Sequence, residues 1–358
     1  MKTKSRIMIK YFNIHNLVRI KVQTTINLKM QNILAHWREF EETPFDNKDA
    51  DILICDYSKC PVFEQSIVLS NYYFYSKNYL NIPAEKFCFN IINVPFIIYC
   101  DTFRIPLNFL IELVLLKKGY SLIHAAAVKY GGKNYLFPAF GGVGKTTTIA
   151  SMLFDKGQLF GDDMVIIKNQ EILSYPMDFS VYPYHLNILR IKDAKIKHQF
   201  RKTRTLDNIT NKLVNHNFKA IKLLLLILNS LKTPCFNVAP KKIFGENCIK
   251  ERGEIDEIYY LCRIENGRLE ITFEKIESNK LVEICANVLL QEWHGAMSIL
   301  YTYSGLSLFS LDTLLNKIKD IFRQTVAHYN CHQINIPNSL DNPTYQKQLI
   351  SHFDNKSS

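Results

Sequence analysis

No stretch of this 358-residue chain approaches the ~20 consecutive apolar residues of a membrane-spanning helix. The richest apolar run, Ile221 to Leu228, is short and carries Lys222, which suits the buried face of a core helix. The opening MKTKSRIMIKYFNIHN is basic but has no apolar signal core, so the expected location is cytoplasmic. The nine cysteines form no CxxC pair, have no neighbouring His cluster and are odd in number. That argues against a disulfide framework or a zinc site and suits thiols in a reducing compartment. The net charge is +11, yet Lys and Arg are spread along the chain without a run of five. No nucleic-acid partner is expected from such a pattern, which fits background composition plus a phosphate-binding cleft. Internal repeats, low-complexity tracts and a polar linker are also missing.

What is present is the composition of a globular protein, 47% apolar and 22% charged, long enough for one large domain or two ordinary ones. Up to about residue 100, runs such as IKVQTTINL, DILICDY and FCFNIINVPFIIYC are rich in β-branched and aromatic residues, which predicts a β-rich region. From Pro106, PLNFLIELVLLKKG has helical spacing and ends at Gly119. YSLIHAAAVKY and KNYLFPAF follow as strands around a Gly131-Gly132 turn. A helix is expected from Lys145 to Lys156, then a strand, two acids and a second strand in QLFGDDMVIIKNQEIL. Residues 205–232 have a helical pattern, and IDEIYYLCRI with RLEITFEKI predicts a β pair around Asn266-Gly267. Beyond about residue 280 the pattern is helical, with a short strand near CHQINIP.

PAFGGVGKTTTIASM carries the clearest chemistry. A phosphate loop wraps backbone N–H groups around phosphate oxygens at the positive end of a helix, and glycines permit the close approach. Its lysine reaches the terminal phosphates and the next hydroxyl ligates magnesium. Lys145 and Thr146 fit those duties, and the nucleotide-binding set is Ala139, Phe140, Gly141, Gly142, Val143, Gly144, Lys145, Thr146 and Thr147. Ala139 stands where the first glycine of the motif is usual, a mild departure if its φ is negative.

Asp162 and Asp163 follow Lys145 by 17 and 18 residues, at the end of an apolar stretch. Adjacent acids there suit holding magnesium and taking a proton from an acceptor hydroxyl, although a solvated turn has the same spelling. His124 precedes Lys145 by 21 residues, between apolar residues and three alanines. A lone histidine on such a strand is more often a satisfied core residue than a catalytic one.

Taken together, HAAAVKYGGKNYLFPAFGGVGKTTTIASMLFDKGQLFGDD resembles the catalytic core of the HPr kinase/phosphorylase family and its related kinases. The histidine strand, hairpin, loop and paired acids come in that family's order and spacing over residues 105–190, with a weaker echo at 239–263. The resemblance implies an α/β (mixed α+β) fold, with a P-loop kinase core of the HPr kinase/phosphoenolpyruvate carboxykinase type. A β-rich region, 1–100, and a helical C-terminal segment within 101–358 would flank that core. It also implies an ATP- and Mg2+-dependent transferase that phosphorylates a Ser/Thr-type hydroxyl on a peptide, small protein or small metabolite. Related family members act on lasso-peptide precursors. Carried over by position, Lys145 binds phosphate, Thr146 and Asp163 serve the metal, and Asp162 is the base, assisted by His124. The flanking regions would select the acceptor and could support a homo-oligomer.

Ala139, Thr147 in place of the family's usual Glu, and no clear arginine-glycine signature beyond Arg252-Gly253 argue against HPr as acceptor and against phosphorolysis. GGVGKTTT also resembles the deviant Walker A loop of partitioning ATPases, but Phe140 stands where those proteins carry an extra lysine. A nucleotide-binding relative without chemistry is a further alternative. Carboxykinase activity would need additional metal and oxaloacetate groups that the sequence does not display.

Overall fold

Alternation in VRIKVQT sends Val18, Ile20, Val22 and Thr24 to one buried face. This strand, β2 (Val18–Thr24), pairs antiparallel with β1 (Met8–Ile14) through a turn with positive φ at His15 and Asn16. The expected strand IKVQTTINL ends at Thr24, because Asp56 accepts hydrogen bonds from the hydroxyls of Thr24 and Thr25 and from the Thr25 N–H. Helix α1 (Asn27–Trp37) begins directly afterwards. The computed structural model describes residues 6–68, 72–198, 200–202, 235–265, 269–306 and 309–357. The helix expected over 205–232, with Ile221–Leu228 inside it, and the Asn266-Gly267 turn lie outside the described residues.

The protein is a mixed α/β structure with several sheets and helices. β3 (Ile52–Cys55), β4 (Ile67–Val68), β5 (Phe74–Ser76), β6 (Tyr79–Ile82), β7 (Phe87–Asn90) and β8 (Phe96–Cys100) complete the first sheet. Its order is β1-β2-β3-β8-β7-β6-β5-β4. α2 (Leu107–Lys117) follows and is buried almost all round, ending before Gly119 in the left-handed region at φ 76°.

β9 (Ser121–Ile123), β10 (Ala125–Tyr130) and β11 (Lys133–Pro138) lead to α3 (Lys145–Phe154). Gly131 and Gly132, at φ 55° and 86°, close the tight turn between β10 and β11. After α3 come β12 (Gln158–Gly161), β13 (Val165–Lys168), β14 (Glu171–Leu173), β15 (Phe179–Val181) and α4 (His185–Ile188). β16 (Phe236–Val238), β17 (Arg252–Glu254), β18 (Glu257–Ile264), β19 (Thr272–Lys275) and β20 (His332–Pro337) make up the remaining described strands. Helices at Ser278–Glu292, Met297–Leu306, Leu311–Val326 and Asn342–Ser357 dominate the C-terminal part.

A six-stranded sheet runs β12-β10-β11-β18-β20-β19, and a four-stranded sheet runs β17-β14-β13-β9. Two expectations change here. YSLIHAAAVKY is not one strand: β9 belongs to the four-stranded sheet and β10 to the six-stranded one, with His124 at the break. IDEIYYLCRI and RLEITFEKI are not paired either, because β20 lies between them, parallel to β18 and antiparallel to β19.

The chain crosses between the two sheets a second time at Asp162–Met164, from β12 to β13. Register puts the crossings side by side, with Ile123 opposite Val165 on one flank and Ala127 opposite Gly161 on the other. Residues at these crossings are free of ladder pairing, so their side chains can point out of the seam. That seam faces the glycine-rich turn between β11 and α3, where the Ala139 N–H reaches the His124 carbonyl at 3.5 Å. Among the described residues, no helix is long and apolar enough to cross a membrane.

Candidate active site

The turn before α3 is shaped by backbone conformation. Gly142 and Gly144 have φ of 77° and 125°, where an L side chain is strained, although open space surrounds a Cβ at Gly142. Ala139 has a negative φ, which explains why alanine is tolerated there, and it is buried. α3 starts at Lys145, and its first turn is fixed by the Thr148 hydroxyl donating to the Gly144 carbonyl at 3.0 Å. Arg263, at the end of β18, donates from Nε to the Val143 carbonyl at 3.0 Å and braces the turn from outside.

The seam and the turn bring five of the expected residues together in two groups. His124 Nε2 lies 2.7 Å from Asp163 Oδ1 and 2.9 Å from Lys145 Nζ. Lys145 Nζ is also 3.4 Å from Asp163 Oδ1 and 3.4 Å from the Ala139 carbonyl. The Thr146 hydroxyl donates to Asp162 Oδ2 at 2.9 Å. His124 therefore pairs with Asp163, whereas the resemblance implied Asp162 as its partner. The reason is positional: adjacent residues leaving a strand point to opposite sides, so one acid meets the seam histidine and the other meets α3.

Burial and charge separate the two acids. Asp162 is raised to about 7, first by burial and then by the neighbouring Asp163 charge, against opposition from Thr146 and Lys145. Its Oδ1 is buried with no hydrogen-bond partner among the described residues. Asp163 is held below the usual carboxylate range: burial pushes it up, but the His124 hydrogen bond and the His124 and Lys145 charges outweigh it. The Asp163 side chain is nevertheless 45% exposed and opens toward the cleft, whereas His124 is 2% exposed.

Sequence reasoning missed several neighbours. Glu292, at the end of helix Ser278–Glu292, brings Oε1 to 3.7 Å from His124 Nε2. Ligand atoms of His124, Asp163 and Glu292 lie within 4.8 Å of one another, although the Lys145 ammonium beside them opposes a cation at that point. A cleft of about 390 Å³ opens over the turn, bounded by Lys145, Thr146, Asp162, Asp163, Arg263 and the tyrosines 182 and 184. Arg263 and Glu292 lie more than 100 residues from the loop and in no local motif, so nothing in the sequence tied them to it.

No family model matches the chain, and no curated protein matches it. Among solved structures it is similar to the HPr(Ser) kinase/phosphatase from Coxiella burnetii, at 11% identity over 66% of this chain and 99% of that one. The TM-score is 0.28, a distant fold similarity that carries no argument about the site.

Proposed function

We propose that the chain is an HPr-kinase-like phosphotransferase that moves the γ-phosphoryl group of ATP to a hydroxyl of a peptide, small protein or small metabolite. The supporting observation is the convergence of Lys145, His124 and Asp163, with Thr146 and Asp162 beside them, where the glycine turn meets the helix N-terminus. Phosphoryl transfer asks little covalent chemistry of a protein, so positioning and charge carry it.

Magnesium fits the residues present. Asp162 has a buried, unpartnered carboxylate oxygen next to a hydroxyl, and hard oxygen donors of this kind suit that ion. Thr146 and Asp162 would hold it, and when bound it neutralises charge on the phosphates. Asp163 then takes the acceptor's proton, held ionised and oriented by His124. This exchanges the duties that the family resemblance gave to the two acids. Lys145 swings from its present partners to the terminal phosphates. The acceptor oxygen forms the new P–O bond, the bond to the bridging β–γ oxygen breaks, and ADP leaves.

Incubation with γ-labelled ATP, Mg2+ and hydroxyl-bearing acceptors should give labelled acceptor, and the Lys145→Ala protein should give none. Hydrolysis of ATP with no label on any acceptor would sink the transferase reading.

A further inference from the structure

The cleft wall beyond the acids is aromatic. Tyr182 and Tyr184 stack with planes 4° apart and centroids 5.6 Å apart. They remain 37% and 61% exposed, unusual for two large rings lining one concave surface. His185 holds them from behind: it is 7% exposed, its ring centroid lies 4.2 Å from that of Tyr184 with the planes 66° apart, and its Nδ1 lies 3.2 Å from the Ser180 carbonyl. The pair is thus a fixed, flat surface on the cleft side, beside a lining that, Met177 and the glycines apart, is polar or charged.

Its position along the loop selects the occupant. In a glycine turn leading into a helix, the lysine meets the terminal phosphates and the backbone N–H groups cradle the inner ones. A nucleoside therefore leaves the loop on the side of the helix start. Arg263 reaches the turn at Val143, while Tyr182 and Tyr184, just before α4, which packs on α3, line the same cleft as Thr146 and Thr147. We propose that the Tyr182–Tyr184 pair is the stacking platform for the purine base of the nucleotide whose phosphates the glycine turn holds. This rests on the phosphate-loop reading above. Aromatic faces attract any purine, so ATP and GTP are both bound through this surface.

Calorimetric titration with ADP and with inorganic tripolyphosphate, each with Mg2+, tests the two readings apart. Tyr184→Ala should weaken ADP binding about tenfold, the usual scale for losing one stacked ring. Tripolyphosphate binding should stay unchanged, and Tyr184→Phe, which keeps the ring, should bind ADP like the parent. Thermal unfolding of each variant confirms that the exposed substitution leaves the fold intact. ADP affinity within twofold of the parent in Tyr184→Ala would overturn the platform, even if the KM for an acceptor rose. Binding of tripolyphosphate by the parent would in that case leave the loop reading standing. If the parent binds neither ligand, both readings fall.

Discussion

His124 Nε2 lies within hydrogen-bonding range of a carboxylate and an ammonium, and one nitrogen cannot serve both. With a proton on Nε2 it donates to Asp163, and Lys145 is then a neighbouring charge, free to turn to a phosphate. His124 thereby holds Asp163 at a set angle. The Nδ1 atom is buried without a partner among the described residues. The two acids then part in their behaviour when each is made an amide. Asp163→Asn should lower kcat by about a hundredfold or more while leaving ADP affinity within a few-fold. Asp162→Asn should instead raise the Mg2+ concentration needed for half-maximal rate, with much of kcat recovered at high Mg2+. A magnesium titration of both variants decides the assignment, and the opposite pattern would restore Asp162 as the base.

At the scale of elements, the site depends on two strand breaks that coincide. Gly161 makes the second break possible: a Cβ there would overlap the Met164 carbonyl and lie 2.9 Å from Val165 Cγ1. Neither neighbour can yield cheaply, since one is backbone and the other is packed in β13. Gly161→Ala should therefore cost about 1–3 kcal/mol, seen as a lowered Tm, and should also displace Asp162 and Asp163 and so depress turnover. Unchanged stability with unchanged activity would show that the crossing tolerates a side chain. The break itself was hidden in the sequence. His124 sits in an unbroken apolar run, and period-2 patterning says a residue is in a strand without saying which sheet receives it. The pairing of β18 with β19 was misjudged for a related reason, because β20 arrives from about 70 residues further along to insert between them. Local signals fared better: the Gly131-Gly132 turn, the Gly119 stop and the helix start at Lys145 all stand where turn and cap chemistry put them. The glycine turn and the paired acids were legible because their chemistry is contiguous. Arg263 and Glu292 were not, because only folding brings them near.

Over the whole molecule, one hydrophobic cluster runs from Phe12 and Ile54 in the first sheet through α2 to Trp293 and Phe322 in the C-terminal helices. The buried Trp37 Nε1 donates to Tyr175 Oη at 2.7 Å, and the Asp178 N–H to the Ala35 carbonyl at 2.8 Å, so polar ties also cross residue 100. At the middle of this shared core, on α2, sits Glu112, fully buried. Burial raises it to about 8 from 4.5, against hydrogen bonds from the Ser121 hydroxyl and the Leu122 N–H. A neutral carboxyl satisfies this corner: its O–H donates to Ser121 Oγ, Ser121 donates to the Leu122 carbonyl at 3.0 Å, and the Leu122 N–H returns to the other carboxyl oxygen. The unfolded chain gives up this proton near 4.5, while the native state keeps it to about 8. Between those values the unfolded state binds fewer protons, so stability falls as pH rises through the window, by on the order of 5 kcal/mol in total. Glu112→Gln keeps the same hydrogen bonds without titrating, its amide N–H donating to Ser121 Oγ. The variant should match the parent near pH 4.5 and grow progressively more stable than it up to about pH 8. Denaturant unfolding of both proteins across that range reads the difference directly, and two parallel curves would mean that Glu112 is already ionised inside the fold.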